Sequence, residues 1–169
     1  MANFPVPHAW QATGAYASGS QLFIVSVEWT GTLGFLLEPK HTRVFSLENR
    51  DSADIRRLSG EVREFLISTG VSKLAMRYSP DTKQYRPHAH VLKNEAAVQL
   101  IDGIAVNMVP SASIAAWVRR EAPNLPDFLD PVHAKLCRGT GVKAIELAVF
   151  AAHFANDQRY FKSADGARI

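Results

Sequence analysis

The sequence predicts an α/β domain: a mixed sheet that opens with a three-strand meander and carries helices on both faces. Three observations predict it. Three β-like segments joined by short turns lie between residues 21 and 47. Helical and extended segments alternate after them. The chain has 169 residues, 47% apolar and 21% charged, which suits one full hydrophobic core and requires no second one.

Residues 1–20 carry Pro5, Pro7, Gly14 and Gly19 among small and polar residues, and read as an N-terminal arm or linker tied down by Phe4 and Trp10. Residues 21–28 are rich in β-branched and aromatic types and read as a strand. Gly31 and Gly34 suit a hairpin turn into a second strand at 33–38, and a third follows at 43–47. Asn49, Asp51 and Ser52 are helix-start residues. Ile55, Leu58, Val62, Phe65 and Leu66 then recur in steps of three and four, one helical face over 53–68, and Gly70 ends it. A buried strand is expected at 71–76, a short helix at 94–101, a strand at 104–109 and a helix at 111–120 after Pro110. The segment 121–131 has three prolines and reads as irregular, and 141–156 reads as a final helix. The domain is expected over 21–160, with a loose tail at 161–169.

No apolar run approaches the roughly 18 residues of a membrane span, so no membrane role is expected. The start of the chain lacks the basic and apolar regions of a secretory signal. One cysteine, Cys137, excludes an internal disulfide, and a reducing cytoplasm is the expected setting. The net charge of +3 permits nucleic-acid binding without requiring it. Clustering says more. Lys73, Arg77, Lys83, Arg86 and Lys93 lie within 73–93 with Asp81 as the only acid, and the long segment 78–90 reads as a functional loop.

Two segments carry a family resemblance. One is Arg77-Tyr78-Ser79-Pro80, then Lys83, then Lys93-Asn94-Glu95-Ala96-Ala97-Val98-Gln99-Leu100-Ile101. The other is Val109-Pro110-Ser111-Ala112-Ser113-Ile114. With the element order, these resemble a bacterial family known as the domain of unknown function 3010, across about residues 22–156. The resemblance implies a ribonuclease-H-like fold close to the RuvC Holliday-junction resolvase. Such nucleases gather carboxylates from the first strand, the fourth strand and the last helix around two Mg²⁺ or Mn²⁺ ions.

On that reading Glu28, closing the apolar run Phe23–Val27, stands where the first-strand acid belongs. Glu146 stands near the last-helix position, and Glu95 is the candidate third acid. The fourth strand offers Ala75-Met76-Arg77-Tyr78 instead of an acid, and Lys143 replaces what is often another. Arg77, Lys83 and Lys93 would hold phosphates, with Tyr78 and Tyr85 stacking on bases.

Plainer readings stand beside these. Glu28 is an exposed acid at a strand end, Glu146 pairs with Lys143, and Arg77 pairs with Glu95 or sits in a solvated loop. His88 and His90, two apart in an extended chain, have a spacing that binds Zn²⁺ or Cu²⁺, but read as surface histidines. His153 and Cys137 read as ordinary packed residues, Gly139-Thr140-Gly141 as a turn, and Trp29 and Trp117 as core or interface anchors. Two functions follow. One is a RuvC-like nucleic-acid-associated protein that cuts phosphodiesters with Mg²⁺ or Mn²⁺ if its acids converge. The other is an inactive binding or regulatory module of the same fold, acting through nucleic-acid or protein contacts. A homodimer is compatible with both.

Overall fold

The structure, a computed structural model, describes residues 10–29, 35–37, 42–49, 51–78 and 87–121. Four strands come first: β1 (Trp10–Ser18), β2 (Gln21–Trp29), β3 (Phe35–Leu37) and β4 (Arg43–Ser46). Then follow α1 (Ser52–Ser68), β5 (Lys73–Tyr78), α2 (Ala89–Gln99), β6 (Ala105–Pro110) and α3 (Ser111–Glu121). They form a six-stranded sheet in the order β3-β2-β1-β5-β6, with β4 also on β2. β1 and β2 form an antiparallel hairpin, while β1, β5 and β6 run parallel. β3 and β4 both pair with β2, at Val27–Trp29 and at Gln21–Ile24. The strands expected at 33–38 and 43–47 are β3 and β4, and both pair with β2.

The arm expected over 1–20 is corrected from Trp10 onward. Residues 10–18 are a central strand, paired on both edges. Its small side chains, which read as linker composition, let the covering layers approach closely. Thr13, Ala15 and Ala17 are all buried. The Thr13 and Ser26 hydroxyls share a 2.8 Å hydrogen bond, so neither is buried unpaired.

The remaining elements fall within a few residues of expectation, except that α2 starts at Ala89, inside the expected loop. The helix expected at 141–156, the irregular 122–131 and the tail lie outside the described residues.

Helix α1 starts where Asp51 accepts from the Asp54 amide at 2.8 Å. It ends at Gly70, whose φ of +73° is open to glycine and strained for other residues. Leu58, Val62 and Leu66 line its buried face. They pack with Ala97 and Val98 of α2 on Ala15, Ala17, Leu22, Ile24, Leu74 and Met76 of the sheet. Alternate strand residues, Phe23, Val25, Ala75 and Val109, are buried on the opposite face, as are Ile114 and Trp117 of α3. Covering both faces fixes the register, because a one-residue slip would exchange the two sets.

Candidate functional site

In open α/β sheets, ligands bind outside the carboxyl ends of the parallel strands. Here those ends are Ser18, Tyr78 and Pro110. The three strands read WQATGAYAS, KLAMRY and AVNMVP, with no Asp or Glu among them.

What stands at this end is a cation. Arg77 is the penultimate residue of β5, in register with Val109 of β6. Ala15 pairs with Met76, so Tyr16 lies beside Arg77 on the neighbouring strand. The Arg77 guanidinium carbon sits 5.0 Å from the centre of the Tyr16 ring. Its Nε donates to Ser111 Oγ at 3.0 Å, and Ser111 Oγ donates to the Tyr78 carbonyl oxygen at 2.9 Å. Nη1 and Nη2 make no hydrogen bond or ion pair among the described residues. The expected alternative, an Arg77–Glu95 pair, is not formed.

Helix α2 covers the β1–β2 turn. Asn94 is fully buried and donates from Nδ2 to the Gly19 carbonyl oxygen at 3.2 Å, while its Oδ1 has no partner among the described residues. Glu95 is 8% exposed, and burial pushes its carboxyl above the ordinary carboxylate range.

Glu28 is corrected in position. It lies on the second strand of the sheet, its Cα paired with Gln11 and Leu36. Gln11 is near the amino end of β1, and Gly19 follows its carboxyl end. Eight residues of extended chain span about 26 Å. Glu28 and Glu95 are therefore placed at opposite ends of the strand and are not brought together. Lys93 lies on α2, and Tyr78, half-buried, closes β5. Lys83, Tyr85, Lys143, Glu146, His153 and Cys137 lie outside the described residues. The extended His88–His90 pair is also corrected. His88 caps α2 and His90 is already inside it, so the two no longer share the side of an extended chain.

Mg²⁺ and Mn²⁺ need several hard oxygen ligands. The three parallel strands supply no carboxylate, and Glu95, on α2, is not brought together with Glu28. Asp54 is committed to Arg57 and the Asn49 amide. No group of three or more His, Cys, Asp and Glu able to hold a metal forms among the described residues. These residues do not fit a two-metal site.

The sequence reading did not single out Tyr16, Ser111 or Asn94 as site residues. Tyr16 was hidden in the supposed arm. Ser111 meets Arg77 across 34 positions, a separation that no local pattern reports.

No family model matches the chain, and no curated protein matches it. Solved structures do. Thermus thermophilus RuvC bound to a Holliday-junction substrate superposes with a TM-score of 0.62 at 16% identity, covering 87% of this chain and 95% of that one. A second Thermus thermophilus RuvC structure gives 0.61 at 17% identity, over 90% and 98% of the two chains. The yeast mitochondrial Holliday junction resolvase gives 0.58 at 10% identity, over 88% and 78%. Likeness at this level of identity is likeness of fold. The chain has the α/β fold of RuvC and the ribonuclease-H-like nucleases.

Proposed function

We propose that the chain is a RuvC-like nucleic-acid-binding module that does not itself cut phosphodiester bonds. One observation carries the reading. The adjacent parallel strands β1 and β5, at the middle of the sheet, bring no acid to their carboxyl ends, and β5 brings Arg77 instead. Metal-assisted hydrolysis needs carboxylates at the reacting phosphate. Phosphate binding needs cations and donors. The cation-rich segment from Lys73 to Lys93, with Tyr78 and Tyr85 among its charges, supports contact with a sugar–phosphate backbone. So does the junction-bound RuvC neighbour. Among the described residues no helix is long and apolar enough to cross a membrane. A cytoplasmic setting and membership in the bacterial family of unknown function belong to the same reading.

The test offers labelled four-way junctions, duplexes and single strands of DNA and RNA to the full chain with Mg²⁺ or Mn²⁺. Retarded complexes whose affinity falls steeply with salt, and no cleavage, are the expected result. Cleavage that disappears with EDTA and with Glu28→Gln would replace this reading. The protein would then be a metal-dependent nuclease with Glu28 among its ligands. Absence of any complex at low salt would remove the nucleic-acid role.

A further inference from the structure

We propose that Arg77, laid on the ring of Tyr16, holds one backbone phosphodiester directly and does so without a divalent ion. This rests on the nucleic-acid reading above and specifies the chemistry of that site.

A phosphate at the carboxyl ends of β1 and β5 meets no carboxylate from either one. Those strands therefore place no negative charge there that a metal would be needed to bridge. Arg77 offers a permanent positive charge at the same place. A guanidinium carries five N–H donors in a fixed plane that matches two phosphate oxygens at once.

Two contacts orient that plane before any ligand arrives. Tyr16 supports the guanidinium at 5.0 Å, and the bond from Nε to Ser111 at 3.0 Å sets its rotation. Ser111 is in turn held by the Tyr78 carbonyl oxygen at 2.9 Å. Nε is thus occupied, whereas Nη1 and Nη2 have no acceptor among the described residues. An arginine serving only as a structural tie gains most when a carboxylate takes its paired donors, as Arg57 shows with Asp54 and Glu61. Arg77 is anchored through its inner nitrogen, and the outer pair is uncommitted among the described residues. Little side-chain freedom remains to be lost when a phosphate binds.

The experiment uses the full chain and a fluorescent four-way DNA junction. Affinity is measured over a KCl series, with EDTA or with Mg²⁺ at matched ionic strength. Wild type is expected to bind no more tightly with Mg²⁺ than with EDTA. Arg77→Met is expected to weaken binding about tenfold and to lower the salt slope by about one. Arg77→Lys should keep the slope, because the charge remains, while losing part of the affinity with the planar fork. It also serves as the second variant if Arg77→Met fails to fold.

Ser111→Ala separates a phosphate contact from a structural one. It breaks the Nε anchor and leaves the charge, so the salt slope should survive. If Arg77 only pins α3, Ser111→Ala should copy the binding loss of Arg77→Met, and neither should change the slope. That outcome, or binding that Mg²⁺ strengthens, overturns the inference while leaving the nucleic-acid reading in place. Wild type that binds no nucleic acid overturns both.

Discussion

Asn94 of α2 donates from Nδ2 to the carbonyl oxygen of Gly19 at 3.2 Å, tying the helix to the β1–β2 turn. The bond joins residues 75 positions apart and brings α2 over the carboxyl end of β1. Its other amide atom, Oδ1, is buried without a partner among the described residues. Asn94→Ala removes a bond and an orphan acceptor together, so its cost should be modest, about 1 kcal/mol. Asn94→Asp places an unpaired charge beside a carbonyl oxygen and should cost about 3 kcal/mol at neutral pH. Urea denaturation of the two variants checks the ordering.

Glu95 should act against stability at neutral pH. Burial raises its carboxyl above the ordinary value of 4.5. The folded state then holds the proton to higher pH than the unfolded chain does. The resulting stability is complete below the unfolded value and is lost as pH rises through the folded one. Glu95→Gln should therefore raise the melting temperature at pH 7 relative to wild type, with a smaller gain near pH 4. A lower melting temperature for Glu95→Gln at pH 7 would reveal a cation paired with the carboxylate in solution. Repeating the measurement with Mn²⁺ would show whether that cation is a metal.

Asp54 should behave in the opposite sense. Burial alone would raise its carboxyl, but the Arg57 guanidinium and the Asn49 and Glu48 backbone groups outweigh it and hold the carboxyl low. The guanidinium bonds Asp54 at 2.6 Å and Glu61 at 2.7 Å, and reaches the Ser46 carbonyl oxygen at 3.0 Å. This network fastens the start of α1 to the end of β4. Its stability is present above the unfolded carboxyl value and is lost as pH falls through the folded one. Wild type should lose denaturant resistance on acidification through the carboxylate range, and Asp54→Asn should lose less. Denaturant midpoints measured between about pH 6 and pH 2 test the slope.

Two glycines in and after α1 should respond with opposite signs. Gly60 lies inside the helix, and a Cβ there would meet nothing within 4 Å. Gly60→Ala should stabilise by about 1 kcal/mol, because alanine loses less backbone freedom on folding. A Cβ at Gly70 would also have space, but φ is +73°. Gly70→Ala should cost about 1 kcal/mol through backbone strain alone. Equal effects at the two sites would show that the left-handed turn is not formed in solution.

Legibility of the fold followed periodicity. Leu58, Val62 and Leu66 recur at helical spacing, and α1 was readable to within a residue. Residues 21–28 announced β2 through β-branched and aromatic side chains. β1 was not readable, because Ala15 and Ala17 are buried for their small size rather than their apolarity. Small residues look alike in a linker and in a strand pressed between two layers. The site followed the same division. Arg77 stood out as a cation where an acid was wanted, whereas Tyr16 and Ser111 gave no signal.

Local composition and spacing were enough to give an α/β chain with a mixed sheet, an acid-free strand ending in Arg77-Tyr78, and a cationic stretch beyond it. Which strand comes first emerged from the folded sheet. It thereby moved Glu28 to the second strand, away from Glu95, and set Tyr16 beneath Arg77. Strand pairing is a long-range choice. It is made by burial on both faces and by main-chain hydrogen bonds between distant segments, and these leave little trace in the local order of residues.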